Sequence, residues 1–281
     1  MTKRRTFMVL LILVVLVGPT VWADDEGEAR DTRVLDDRFS IRLIGGLVNF
    51  STDVAAGRSL GALIDLEDVL GFDESIETFG VEGFWRISQN RKHALRLRFG
   101  DFDRDAFKDV QGTVPILDLE FFGELSSRFV NQVGTIEYQY SFINHHKTEA
   151  GITAGFGIYR YELELEGEVM LVDGSGEDSQ FRKESIGVVA PVPAVGFYIN
   201  QALRPDLIFE IRTSFIDLEL GEHNGRIFSS WGSLTWYFSR HFGVGLGLNA
   251  SDVVYEKKAS KEKIKVELRQ SAFNLNLTAV F

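Results

Sequence analysis

The chain has no cysteine. That excludes disulfides, thiolate metal sites, thiol catalysis and a lipid-bearing cysteine, although 281 residues can bury a sizeable core without staples. Histidine is sparse, with five in all. His145 and His146 are neighbours in a turn, where successive strand side chains point to opposite faces, and His93, His223 and His241 stand alone. Neither a metal site nor a cofactor is expected from them. After the first two dozen residues no stretch approaches the 18 or so continuous apolar residues of a membrane helix. Basic charge is also short: 30 Lys and Arg face 41 Asp and Glu, a formal charge of −11. An acidic chain is a poor nucleic-acid partner, because phosphate binding needs a basic surface.

The amino end is the exception to this polarity. Lys3, Arg4 and Arg5 precede the apolar run Phe7–Val17, Gly18 and Pro19 break it, and Val21 and Ala23 place small residues before a cleavage point. These are the parts of a secretory signal peptide, and the run is too short for a spanning helix. Residues 1–23 are expected to be removed and 24–37 to form a disordered acidic lead-in. Residues 38–281 are expected to form the folded domain.

That remainder alternates with period two. Ile136, Tyr138, Tyr140 and Phe142 alternate with polar residues, as do Leu207, Phe209, Ile211 and Phe215, and Leu234, Trp236 and Phe238. Phe242, Val244, Leu246 and Leu248 alternate with Gly243, Gly245 and Gly247. Less regular versions lie at Phe39–Phe50, Glu77–Ser88, His93–Phe102, Thr148–Tyr161 and Val195–Gln201. The last segment carries Phe273, Leu275, Leu277, Ala279 and Phe281 at every second position. About ten strands result, with eight or twelve as alternatives. Short turns (Ser88–Lys92, Asn144–Lys147, Leu203–Asp206, Ser239–His241) alternate with long hydrophilic connections (Ser51–Ile76, Asp103–Arg128, Leu163–Arg182, Asp217–Gly225, Ser251–Arg269).

A secreted β-sandwich also alternates. It does not predict charges in mid-strand on the polar faces together with aromatics at the ends of the apolar faces. That combination belongs to a transmembrane antiparallel up-and-down β-barrel with apolar side chains outward, closed because lipid tolerates no open sheet edge. The signal peptide, the period-two strands and the terminal phenylalanine resemble the outer-membrane β-barrel proteins of Gram-negative bacteria, including small OmpW-like and OmpA-like barrels. The resemblance implies an outer-membrane location and lipid as the immediate partner. It also implies an assembly signal at Phe273, Leu275, Leu277, Ala279 and Phe281, read by the barrel-assembly machinery after periplasmic chaperones have carried the chain.

With strand parity assigned, Arg42, Glu82, Arg86, Arg96, Arg98, Glu137, Glu210 and Arg212 are expected to face the lumen. Buried opposite charges should pair, giving a plug, or else they line a narrow porin-like path for small polar or amphipathic molecules. The glycines of Gly243–Gly247 are expected to make room there for Arg and Glu side chains. Pro191 and Pro193 lack a ladder donor. Either the strand starts after Pro193 with both prolines outside the bilayer, or they weaken one seam and form a lateral opening. The stretch Gly61–Ser75 is a poor match to a calcium loop and is expected to cover the barrel mouth as a short helix or irregular strand. Catalytic residues are not expected. His223, Ser229 and Glu222 lie near one extracellular end, but no spacing marks a nucleophile with its base. A structural outer-membrane barrel, a narrow channel and an outer-membrane enzyme acting on lipid or peptide remain as readings, in that order.

Overall fold

The computed structural model describes residues 37–57, 63–116, 119–171, 178–221, 223–258 and 263–281. The expected signal segment and all but the last residue of the lead-in lie outside the described residues. Eleven strands follow one another: β1 (Phe39–Gly57), β2 (Ile64–Asp65), β3 (Ser75–Arg86), β4 (His93–Ile116), β5 (Leu119–Asn144), β6 (Thr148–Leu171), β7 (Asp178–Arg204), β8 (Leu207–Leu220), β9 (His223–Tyr237), β10 (Phe242–Lys258) and β11 (Lys263–Val280). Each pairs antiparallel with its neighbour in the order β1-β3-β4-β5-β6-β7-β8-β9-β10-β11, and β11 returns to β1. The result is a closed ten-stranded meander, with β2 as a two-residue addition along β1.

Closure runs without a break from Ser40↔Val280 to Gly57↔Lys263. At its foot the Phe281 carbonyl accepts from the Arg38 and Phe39 amides at 3.0 Å each, and the Phe281 amide donates to the Phe39 carbonyl at 2.8 Å. The Phe281 ring lies 6.4 Å from that of Phe39 and 6.0 Å from that of His241.

The lower part of the wall is apolar on the outside. Ile41, Leu43 and Leu47, Trp85, Leu97 and Phe99, Ile136, Ile152 and Phe156, Phe197, Leu234 and Trp236, Leu246 and Leu248, and Phe273, Leu275 and Leu277 are all exposed. A band of exposed large hydrophobics around the wall would be unstable in water and is what lipid requires. Along β11 and the residue after it the band covers Phe273 to Phe281, nine residues, and a tilted strand of about 9–11 residues crosses the hydrocarbon layer. Phe39, Trp85, Tyr140, Phe142, Trp236, Phe238, Phe242 and Phe281 ring the lower edge, the interfacial position that aromatic rings favour.

Above this belt the expected long loops are largely strand, which corrects the reading of Asp103–Arg128, Leu163–Arg182 and Ser251–Arg269 as connections. The β4–β5 ladder continues to Ile116↔Leu119, β6–β7 to Leu171↔Asp178, and β10–β11 to Lys258↔Lys263. Side-chain parity is unchanged, but the polarity of the two faces is exchanged. Tyr161, Leu163 and Leu165 point inward and are buried while Glu162, Glu164 and Glu166 point outward. Ile264, Val266 and Leu268 are buried between the outward Lys265 and Glu267. Outside the membrane, water lies on the outer face, so the apolar positions move to the interior. Two ladders stop at the belt: β3–β4 ends at Phe79↔Asp101 and β7–β8 at Val195↔Phe215. The projecting wall therefore divides into a β4–β7 sheet and a β8–β1 sheet, facing each other across one apolar cluster that includes Phe50, Val54, Phe129, Tyr161, Ile186 and Val266. A barrel in the membrane continues as a sandwich above it.

Residues 63–75 of the stretch expected to cover the mouth lie within this sandwich. β2 pairs with Asp53 and Val54 of β1 above the last β1–β3 pair, Asn49↔Ser75. A π-helical turn, Leu66–Leu70, follows, with the Asp65 carboxylate accepting from the Asp68 amide at 2.9 Å. Gly71 ends it at φ 78°, a left-handed conformation that favours glycine. Leu66, Leu70 and Phe72 belong to the apolar cluster and are buried.

Candidate functional site

Parity places every inward residue of the belt in the lumen, and the charged ones meet there. Arg42, Glu82, Arg86, Arg96, Glu210 and Arg212 are buried, while Arg98 and Glu137 are partly exposed. Glu82, on β3, is the hub. Its carboxylate accepts from Arg212 Nη1 on β8 at 2.7 Å, from Arg42 on β1 at 3.3 Å, from Arg98 Nη2 at 3.2 Å, and from Arg96 by a close contact. Glu210 accepts from Arg42 in a second close contact and from Ser233 Oγ at 3.2 Å. In the ring of ten strands β3 and β8 stand five places apart, so the Glu82–Arg212 bond joins opposite walls. Trp231 lies under both guanidiniums, 4.0 Å from Arg212 and 5.0 Å from Arg42, and lends its electron-rich face to charges withdrawn from water.

Nearer the foot of the barrel a second cluster forms around Glu149, a residue that the sequence reading did not single out. Arg86 Nη1 and Nη2 donate to its two oxygens at 2.8 Å each, in the parallel geometry that makes Arg–carboxylate pairs strong. Ser141 Oγ at 2.6 Å, Tyr198 OH at 3.2 Å and Asn200 Nδ2 at 3.2 Å complete the set. Glu149 is the second residue of β6, directly after a turn. Its inward parity with Gly151 and Thr153 was the available signal.

The three alternating glycines do not face Arg or Glu as expected. A methyl group at Gly245 would stand 2.6 Å from Thr235 Oγ1 and 2.7 Å from Asn276 Oδ1, and one at Gly247 would collide with Asn274. They make room for a neutral polar stripe, Asn274, Asn276 and Thr278, on the neighbouring strand.

Above the belt, Arg104 is buried among the rings of Phe50, Phe72 and Phe129, at 4.6, 5.2 and 5.2 Å from their centroids. It closely contacts Glu67 of the π-helical turn and donates to Thr52 Oγ1 at 2.7 Å. Glu67 also accepts from the Thr52 amide at 2.8 Å. Burial in this apolar setting lowers the Arg104 guanidinium pKa from its ordinary value, and the Glu67 carboxylate opposes the shift. Arg104 and Glu67 fasten the turn between β1 and β4, where the β3–β4 ladder has stopped.

Pro191 and Pro193 do not precede their strand, which corrects the simpler of the two expectations. β7 runs through both, pairing them with Ile158 and Phe156 of β6. The Ala202 amide bonds toward the β6 side, at the Lys147 carbonyl, so residues of odd number on β7 face β8. The two prolines thus sit on the β8 edge, immediately above the last β7–β8 pair. Ser229 hydrogen bonds to Ser214 at 3.0 Å, while Glu222 lies outside the described residues. Among the described residues no group of three His, Asp or Glu side chains is placed to hold a metal ion.

No family model matches this chain, and no curated protein matches it in sequence. Among solved structures, the outer membrane protease OmpT of Escherichia coli superposes with a TM-score of 0.54 at 10% identity, covering 86% of this chain and 97% of that one. The toluene transporter TodX of Pseudomonas putida gives 0.37 at 7% identity, over 90% and 92%. OprG of Pseudomonas aeruginosa gives 0.34 at 12%, over 86% and 96%. The fold is that of the outer-membrane β-barrels.

Proposed function

We propose that the chain is exported by residues 1–23 and assembles in the outer membrane as a non-enzymatic structural barrel. Its lumen is closed, and the two-sheet projection is its working surface outside the cell. The observation that carries this reading is the Glu82 hub, which joins opposite walls at 2.7 Å through Arg212 and draws in three more arginines. The turn at Leu66–Leu70 is a second stopper above it. A carboxylate shared among several guanidiniums accepts fixed, charge-assisted hydrogen bonds, which suits a brace better than a proton carrier. Outer-membrane fractionation with a heat-dependent mobility shift tests the location. In planar bilayers the wild-type protein should hold a flat closed baseline, and stepwise openings would overturn the closed-lumen reading.

A second reading has an observation of its own. The β7–β8 ladder stops at Val195↔Phe215, directly beneath Pro193 and Pro191, and the apolar interior of the projection begins at that height with Val192 and Ile216. A small apolar molecule would pass there between the projection and the lipid. Restoring the missing donors with Pro191→Val and Pro193→Val should reduce uptake of such a molecule, and unchanged uptake would remove this reading.

A further inference from the structure

The division of the projection into two sheets leaves free strand edges, and they are not alike. β4 above Asp101 carries Asp103, Asp105 and Asp109 on its outward positions, and the π-helical turn lies against it, with Lys108 Nζ in close contact with the Asp68 carbonyl. β8 runs past its last pair with β7 only from Ile216 to Leu220, and Asp217 and Glu219 stand exposed there. Charges and covering segments at an edge discourage pairing with another chain.

The upper part of β7 lacks such a guard. Continuing the register of Val195↔Phe215 brings Leu220, the last residue of β8, level with Ala190. β7 itself goes on to Asp178, paired with β6 throughout. From Val189 back to Ser179, the backbone groups of the odd-numbered residues therefore have no strand beside them among the described residues. On the outer surface of this stretch Phe181 is 69% exposed and Val189 63%, with the small Ser185 and Gly187 between them. The one charge there, Lys183, is drawn back to its own sheet, 3.3 Å from Glu164 and 3.9 Å from Glu166 of β6. On the inner surface Ile186 belongs to the apolar cluster. A cavity of about 20 Å³ is lined by Ile186 and Val188 and, from the facing sheet, by Val54, Ile264 and Val266, so the sandwich is not fully packed behind this strand.

Taking the projection as the working surface, we propose that the β7 edge from Ser179 to Val189 takes up an extended peptide of another protein as an added strand. The strand lies antiparallel, as every neighbouring pair in this sheet does. A row of unpaired amides and carbonyls is satisfied along its length only by another strand. The peptide alternates apolar and basic residues. Its apolar side chains point inward and extend the layer of Ile186 and Val188. Its lysines or arginines point outward, because the outer face of the sheet is acidic: Glu162, Glu164, Glu166 and Glu168 on β6 and the three aspartates of β4 outnumber Arg128, Arg160 and Lys183. Glu162 and Glu164 stand directly behind Gly187 and Ser185, which are low enough for a long basic side chain to cross, and its stem covers Phe181 or Val189. The chain's own residues 24–36 join the barrel at its foot, where the Arg38 amide bonds to Phe281, on the far side of the belt. A second copy brings the same acidic face and is repelled.

The test uses the full-length protein in detergent micelles and a peptide of about ten residues alternating valine and lysine, with amide hydrogen exchange read at each residue. In the free protein the odd-numbered amides of 181–189 should exchange fast and the even-numbered ones slowly, because only the latter bond to β6. Saturating peptide should slow the odd-numbered set by about tenfold or more. The same peptide N-methylated at its lysines keeps its charge, loses the donors that face β7, and should not protect. Ser185→Pro with Val189→Pro removes edge donors at the parity where Pro191 and Pro193 are already accommodated, and should abolish protection while the barrel keeps its heat-dependent mobility shift. Protection that survives either change is charge attraction alone and overturns the proposal. Odd-numbered amides that are slow in the free protein, or that slow with protein concentration because a second copy holds the edge, overturn it too. If the double variant does not fold, the N-methylated peptide on the wild-type protein decides. Fractionation and bilayer recordings test the reading of the barrel separately, so a correctly located, closed barrel without peptide protection overturns this proposal alone.

Discussion

β10 crosses two solvents with one side-chain parity. In its lower half Val244, Leu246 and Leu248 are exposed on the outside while Gly243, Gly245 and Gly247 face inward toward asparagine and threonine. In its upper half Asp252 and Glu256 lie outside while Val253 and Tyr255 are buried within. Nothing in the backbone marks the change, and the β10–β11 ladder continues across it without a shift. The outer medium alone reverses, from lipid to water, and the side chains follow. The cores differ accordingly. The belt is braced by ion pairs and neutral polar stripes, whereas the projection has an apolar core in which the buried Arg104–Glu67 ion pair fastens its stopper.

The largest effect should come from breaking the belt's brace at its hub. Glu82→Ala leaves Arg96, Arg98 and Arg212 without the carboxylate they share, and Arg42 with Glu210 alone. Removing one partner of a buried ion pair typically costs about 3–5 kcal/mol. Equilibrium unfolding in detergent or lipid should show a loss of that order, whereas a loss below about 1 kcal/mol would mean that water already solvates the cluster.

A matched pair on β10 sharpens the comparison directly. Leu246→Lys places a charge against lipid and should destabilise by about 2–4 kcal/mol. Val254→Lys, eight residues further along and of the same parity, places it against water and should change stability by less than about 0.5 kcal/mol. Equal penalties would put the upper edge of the membrane in the wrong place.

The belt was legible in the sequence because two signals coincide there. Aromatic and aliphatic residues repeat at every second position, and charges such as Glu82, Arg96 and Arg212 fall on the opposite face. Ten strands and a closing segment ending at Phe281 follow from that pattern. The projection was not legible for a physical reason. In Tyr161–Leu165 the alternation is just as strict, but glutamates raise the average polarity, and a hydrophilic average reads as loop. Glu149 was hidden by its place beside a turn, and Arg104 by standing among aspartates that face water. Long-range facts such as the stopped β7–β8 ladder leave no local trace except Pro191 and Pro193.

The smallest effect concerns pH in the projection. Asp53 lies opposite Asp65 on one side and Glu267 on the other. Partial burial, with Asp65 and Glu267 adding to it, raises the Asp53 pKa above its ordinary value, and Arg269 opposes. A carboxyl raised in the folded state binds more protons there than in the unfolded chain. Its stabilising contribution is therefore present below the ordinary carboxylate pKa and is lost as pH rises through the raised one. Asp53→Asn should slow hydrogen exchange of the β1–β2 pair at neutral pH and flatten its change across the mildly acidic range. A mutant with unchanged pH dependence would assign that change to other groups.

The central claim is that one unbroken ladder carries apolar side chains outward in lipid and inward above it. Nitroxide labels placed singly along β11 test it most directly, with oxygen as the lipid-soluble relaxant and a nickel chelate as the water-soluble one. The account predicts oxygen contact at positions 273, 275 and 277, nickel contact at 265, 267 and 269, and protection from both at 264, 266 and 268. Nickel contact at all six positions from 264 to 269 would make that segment the hydrophilic loop its composition suggests, and would contradict the account.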